Sequence, residues 1–241
     1  TATTEIYTLS PTRRSSDLTF QQIAQSLGVI SDRTNVKVLV MFEGPNDVSF
    51  WKSASRILSA NDPAVADLND DRCLLVPLGG STLKDWVTRR TVEPLNLPQC
   101  WFLDLDDPVN PRYLTQVAEL QNRGHIARLT TKREIENYLH SAAIEQALGV
   151  LVQFGPNDDV PELVAIALRS NEPNAKPWAD LSDEKKKKLT SHAKLRLADE
   201  AVAHMTPELF GESDPNGELR EFLRDVRLRM LAEGTGTAAV A

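Results

Sequence analysis

Residues 36–42, VKVLVMF, constrain this chain more than any other stretch. Apart from one lysine the run is apolar and rich in β-branched residues, so it has no polar face to turn towards water. A strand of that kind is covered on both faces, as in a parallel sheet held between helices. Residues 73–78 (CLLVPL), 99–103 (QCWFL) and 125–129 (HIARL) repeat the signal. Helix-like stretches lie between them. Glu43-Gly44-Pro45 opens one that runs to about Ser59, with Pro at the first helical position, where its missing N–H has no partner to lose. Gly79-Gly80 closes the second strand, and Ser81 or Thr82 is placed to cap a helix towards Val92. Residues 112–122 carry Leu114, Val117, Ala118 and Leu120 as an apolar stripe, and Gly124 ends them. The order β-α-β-α-β-α-β predicts an α/β fold: a Rossmann-like, four-stranded parallel sheet flanked by helices and joined by right-handed crossovers.

After Thr130 the strand signal stops. Residues 132–148, 160–169, 182–205 and 216–232 are predicted as helices, so an α-helical C-terminal region succeeds the sheet. Residues 36–131 are assigned to the α/β domain, 132–233 to the helical region and 234–241 to a disordered tail. Residues 1–18, TATTEIYTLSPTRRSSDL, read as translated sequencing adaptor with a frame shift after Ser10. They contain no apolar core of a signal peptide. Native sequence is then expected from about Thr19, with residues 19–35 as a linker or remnant that includes a short helix over 20–27 stopped by Gly28.

Charge narrows the function. Lys and Arg total 27 against 34 Asp and Glu, a net charge of −7. Such a chain cannot hold nucleic acid through global charge; any contact must come from local basic patches or bound cations. No apolar run approaches the ~20 residues of a membrane span. Cys73 and Cys100 lie in strand-like runs without zinc spacing and read as core residues of a reducing compartment, so the cytoplasm is the expected location.

Acids recur where ligands of a parallel sheet collect, at the carboxyl ends of its strands. Glu43 ends the first strand and Asp47 falls in the first turn of the next helix. Asp104 and Asp106 end the third; if the strand stays extended that far, both point to one face. Clustered carboxylates without a counter-charge raise one another's pKa values, and a hard divalent cation resolves that conflict. Oxygen-only ligands point to Mg²⁺ or Mn²⁺. Each acid also has a plainer role: Asp47 at N3 suits the helix dipole, and Asp107-Pro108 suits a turn.

VMFEGPNDVSFW and, further along, WFLDLDD resemble the TOPRIM domain, the metal-dependent module of topoisomerases, primases and OLD (overcoming lysogenization defect) nucleases. Its E-G-x-x-D corresponds to Glu43, Gly44 and Asp47, and its D-x-D to Asp104 and Asp106. KREIENYL, residues 132–139, is similar to the glutamate-bearing helix of OLD-like nucleases. The resemblance covers residues 36–149 and implies a metal-dependent endonuclease acting on DNA. Asp47, Asp104 and Asp106 then hold metal, and Glu43 serves as ligand or general base. Within the last motif, Thr131 and Glu134 have the spacing of a capping box, which gives Glu134 a structural job. Glu136 lies about 200° further round a helix, so only one of the two can face the site, and Glu136 is the expected fifth carboxylate, serving a second ion. OLD-like nucleases also use a lysine near the phosphate; the candidate is Lys194, in SHAKLRLADEAV. Full-length OLD proteins carry an ATPase domain before the TOPRIM domain. No G-x-x-x-x-G-K-[ST] occurs here, so no ATP site is expected in this chain and an upstream ATPase domain is the expected partner. Oligomers are compatible with the sequence.

Weaker features remain. Gly79-Gly80 permits close backbone approach to a phosphate but equally an ordinary turn. Lys185–Lys188 reads as a solvated helix face, with Arg89-Arg90 and Lys132-Arg133 as further candidate phosphate contacts. His125, His140, His192 and His204 show no ligand or triad spacing, and Trp51, Trp86 and Trp101 fall at core positions. Two other readings compete. A haloacid-dehalogenase-type phosphatase also places D-x-D after an apolar strand, but it leaves Glu43 without a job. A metal-stabilised DNA-binding or regulatory module that no longer cuts would keep the fold and lose the chemistry.

Overall fold

The structure, a computed structural model, describes residues 35–232. The adaptor-like segment, the helix expected over 20–27 and the tail from 234 lie outside the described residues. The four expected strands are β1 (Val38–Phe42), β2 (Cys73–Pro77), β3 (Gln99–Leu103) and β4 (Ile126–Leu129). They form one sheet in the order β2-β1-β3-β4, every pairing parallel. Eight α-helices accompany them among the described residues. α1 (Pro45–Ser59), α2 (Leu83–Thr88) and α3 (Leu114–Asn122) are the crossovers. The helical region comprises α4 (Ser141–Leu148), α5 (Val160–Ser170), α6 (Asp183–Arg196), α7 (Pro207–Ser213) and α8 (Glu218–Leu231). None of these helices is long and apolar enough to cross a membrane.

The all-apolar β1 run is explained by a core on each face of the sheet. Val38, Val40 and Phe42 pack with α1, α4 and α8, whereas Leu39 and Met41 pack with Leu83, Val87, Tyr113 and Val117 of the other layer. Alternate residues of one strand thus serve opposite layers. Trp51 of α1 anchors the first layer, its ring centroid 5.7 Å from Phe42, 5.0 Å from Phe102 and 5.3 Å from Phe222 of α8. The helical region therefore shares the sheet's core. Cys100 is buried there, and Cys73 is a partly buried free thiol. Trp101 is buried in the second layer and Trp86 packs partly buried against it, so Trp51, Trp86 and Trp101 all serve the core as expected.

β1 lies between β2 and β3, so the chain leaves it in one direction to reach β2 and later crosses to its other side. The crevice at the carboxyl ends of β1 and β3 is the topological switch point, where such sheets bind ligands.

Several expected helices have different limits. α3 begins at Leu114, and the segment after Gly79 enters through a 3₁₀ turn, Gly80–Thr82, before α2. Thr82 does not cap α2; its hydroxyl donates to the carbonyls of Leu78 and Gly79. The long helix expected over 182–205 ends as α at Arg196 and continues through a π turn (Leu197–Ala201) and a 3₁₀ turn (Val202–His204). α7 was not anticipated: it is short and carries Pro207 and Gly211.

The helix expected over 132–148 does not form as one piece. Glu134 is extended, residues Ile135–Tyr138 make a 3₁₀ turn, and α4 starts only after His140, whose Nδ1 accepts from the Ala142 N–H at 3.2 Å. Local side chains take the backbone donors that a helix would use. Asn137 Oδ1 accepts from the Glu134 N–H at 3.1 Å, while its amide donates to the carbonyls of Gly155 and Asp158, each at 3.0 Å.

Candidate metal centre

Glu43 comes directly after β1, and Asp104 directly after β3. Glu43 Oε1 accepts the Asp104 backbone N–H at 2.9 Å, so the two expected site acids occupy one crevice. A Cβ on Gly80 would stand 3.9 Å from Glu43 Oε2, which makes Gly80 a wall of the site. Gly44 is the extended N-cap of α1, Pro45 occupies the first turn, and Asp47 Oδ2 accepts the Gly44 N–H at 2.8 Å. The plain helix-capping role of Asp47 is real, and it buries the carboxylate in the same cluster.

Asp106 reaches the site by another route than expected. β3 ends at Leu103 and Asp106 has φ 59, so the D-x-D does not stay extended and its acids do not share a strand face. Asp tolerates this left-handed conformation better than most residues. The turn is held by the Asp106 N–H donating to the Arg133 carbonyl at 2.9 Å, and by the Leu105 N–H donating to Thr130 Oγ1 at 2.8 Å. The loops after β3 and β4 are thereby laced together, and Asp104 Oδ1 accepts the Ile135 N–H at 3.0 Å.

Glu134 and Glu136 both face the site, contrary to the expectation that only one could. A 200° separation exists only on an α-helix, and the extended Glu134 with its 3₁₀ turn removes it. Nor does Thr131 form a capping box with Glu134; its N–H and hydroxyl donate to Glu218 at 3.0 and 2.6 Å. Glu134 is the residue the sequence reading missed, although KREIENYL contained it.

Lys194 joins these acids. Its Nζ lies 3.0 Å from Glu134 Oε2, 3.4 Å from Glu136 Oε2 and 3.9 Å from Asp104 Oδ2, with the side chain 27% exposed. It projects from the last turn of α6, just before the π turn, a feature frequent at functional sites. Lys185–Lys188 of the same helix stays at the surface, as a solvated face should.

The electrostatics result from this packing. Burial, and then the charge of Asp106, push Glu43 up to about 7, although the Asp104 N–H opposes the shift. Burial pushes Glu136 up to about 8 against the attraction of Lys194. Burial and then Asp47 hold Asp104 well above the ordinary carboxylate range. Burial also raises Asp47, against Lys194, and raises Asp106, with Glu134 adding to it. For Glu134, burial is outweighed by Lys194 and the carboxyl is lowered. Burial likewise opposes the Lys194 charge, but Glu136, Asp104, Glu134 and Asp47 outweigh it and raise its pKa.

Both oxygens of Glu136 are buried without a hydrogen-bond partner, an expensive state that a cation relieves. The donor set is all hard oxygen and therefore suits Mg²⁺ or Mn²⁺. Among the described residues, no three His, Cys, Asp or Glu side chains converge closely enough to hold an ion as they stand. The acids gather about Lys194 instead.

A doubly wound parallel sheet with acids and a lysine gathered at its switch point defines the class of this chain. No family model matches its sequence, and no curated protein is found similar to it. Two solved structures are similar to it. One is the C-terminal region of the Burkholderia pseudomallei OLD protein, at 13% identity and a TM-score of 0.47, covering 80% of this chain and 98% of that one. The other is the C-terminal region of the Xanthomonas campestris pv. campestris OLD protein, at 15% identity and a TM-score of 0.42, covering 80% of this chain and 94% of that one. The site assignments rest on the geometry of this chain.

Proposed function

We propose that this chain is a TOPRIM nuclease of the OLD type, hydrolysing phosphodiester bonds in DNA with Mg²⁺ or Mn²⁺. The observation that supports this reading most is the Asp104 N–H bond to Glu43, which joins one acid from each of the two motifs. Glu43, Asp47, Asp104 and Asp106 would hold the ion. When bound, it supplies Lewis-acid polarisation of the scissile phosphate and acidifies an attacking water. Without a bound ion, burial and the charge of Asp106 push Glu43 up to about 7; if it lies beside the ion rather than on it, it could accept a proton as general base. The Ile135 and Gly44 N–H groups orient Asp104 and Asp47. Lys194 offers a fixed positive charge to a phosphate oxygen. An upstream ATPase domain, a cytoplasmic location and a DNA substrate belong to the same proposal.

A plasmid-nicking assay tests it. Wild-type protein is expected to nick supercoiled DNA with Mg²⁺ or Mn²⁺ and not in chelator, and Asp104→Ala is expected to be inactive; cleavage that survives Asp104→Ala overturns the assignment. One observation favours a second reading: Lys194 already balances part of the acid cluster without any metal, as a non-cutting DNA-binding module would require. Plasmid binding without nicking would be its signature.

A further inference from the structure

α6 has almost no apolar face. Of its residues only Ala193 is buried, although the helix packs along α5 and runs on into the buried Leu197, Ala198 and Ala201 of the π turn. Core packing therefore does not account for the surface of α6. Its lysines divide into two groups. Among the described residues, every ion pair they make belongs to Lys194, with Glu134, Glu136 and Asp104. Lys185, Lys187 and Lys188 are exposed and Lys186 is half-buried, with no carboxylate paired to any of them among the described residues. Helical periodicity sorts this second group. Lys187 precedes Lys194 by seven residues, which places it about 20° round the axis from Lys194 and about 10 Å along it. Thr190 and Ser191 lie between the two, within about 60° of Lys194. Lys185 falls about 180° away, on the opposite side. Asp183, at the start of the helix, closes the Lys187 face at its outer end.

We propose that Lys187, Thr190 and Ser191 form a strip that carries the phosphates of a DNA strand along α6, outward from Lys194 and the acid cluster. The proposal rests on the nuclease reading and adds to it the path of the substrate. A chain of net charge −7 needs a local cationic track to hold a polyanion. The strip supplies one in line with the site. Along a duplex axis the phosphates of one strand advance about 3.4 Å each, so the span from Lys194 to Lys187 matches about three of them. The Lys187 ammonium, with no carboxylate paired to it, supplies the outer charge, and the hydroxyls of Thr190 and Ser191 can donate to the phosphates between. Contacts of this kind fix register and orientation without reading sequence. The strip is also rigidly placed, because the π turn that follows α6 is buried in the main core.

Fluorescence anisotropy of a short fluorescein-labelled duplex, at fixed Ca²⁺ and varied KCl, tests this on the whole chain. Lys187→Gln should bind the duplex several-fold more weakly than wild type at about 0.1 M KCl. Its plot of log affinity against log salt should be shallower by about 0.9, the signature of one lost phosphate contact. Lys185→Gln makes the same change on the opposite side of the helix and should match wild type in both affinity and slope. Both side chains are exposed, so neither substitution touches the core. A Lys187→Gln slope equal to that of wild type, or a Lys185→Gln slope reduced as much, overturns the strip alone. A wild type that does not bind the duplex overturns the nuclease reading with it.

Discussion

The backbone N–H of Asp104 donates to Glu43 Oε1 at 2.9 Å, joining residues 61 positions apart at the ends of the two central strands. Glu43→Gln keeps an acceptor for that N–H and removes the charge. Nicking should fall about 100-fold or more, the usual scale for loss of a general base. The melting temperature in chelator should hold or rise, because a partly buried, acid-crowded carboxylate has been neutralised. Nicking rates beside thermal melts check both halves.

Stability should depend on pH with a definite sign. Glu136 is raised from 4.5 to about 8 and Glu43 to about 7, so the folded chain keeps protons that the unfolded chain has released. Metal-free stability therefore falls as pH rises from about 4.5 to about 8. His125, lowered by burial, contributes in the opposite sense, and comparing wild type with Glu136→Gln cancels it. The variant should show a shallower decline in urea melts across that window. Added Mn²⁺ should stabilise the wild type more towards the upper end, where more carboxylates are ionised.

Glu218 holds the 131–138 segment from α8. It accepts the Thr131 N–H at 3.0 Å, the Thr131 hydroxyl at 2.6 Å and the Tyr138 hydroxyl, while 9% exposed. Glu218→Ala strands those donors and should cost about 2–4 kcal/mol in urea unfolding. Glu218→Gln, which keeps acceptor oxygen, should cost less.

Phe222 tests whether the helical region shares the sheet's core. Its ring lies 4.8 Å from Phe102 and 5.3 Å from Trp51. Phe222→Ala should destabilise the whole chain by about 3–5 kcal/mol in a single transition. A separate, earlier transition for the helical half would contradict the shared core.

The strands were legible because a strand covered on both faces leaves few polar residues in its run; β3 has the limits its largely apolar stretch predicts, and α1 ends at Ser59 as expected. Glu43, Asp47 and Asp104 were legible because each lies at or just past the carboxyl end of a central strand, whose position the sheet fixes. Residues 132–140 were not. Their pattern is helical, but Asn137 and Asp104 claim the N–H groups of Glu134 and Ile135, and that competition is settled by tertiary neighbours far along the chain. For the same reason Glu134 was set aside as a cap. Asp106 was expected to share a strand face with Asp104; a left-handed turn, not strand alternation, sets its position. Lys194 carried no local signal distinguishing it from the lysines two turns earlier; only the π turn and the core around it fix where it points.

The central claim is that Glu43 and Asp104 bind a divalent cation together. Anomalous diffraction from crystals grown with Mn²⁺ measures this most directly. The predicted result is a peak about 2–2.3 Å from a carboxylate oxygen of each residue. A peak bound elsewhere, or none at saturating Mn²⁺, would contradict it.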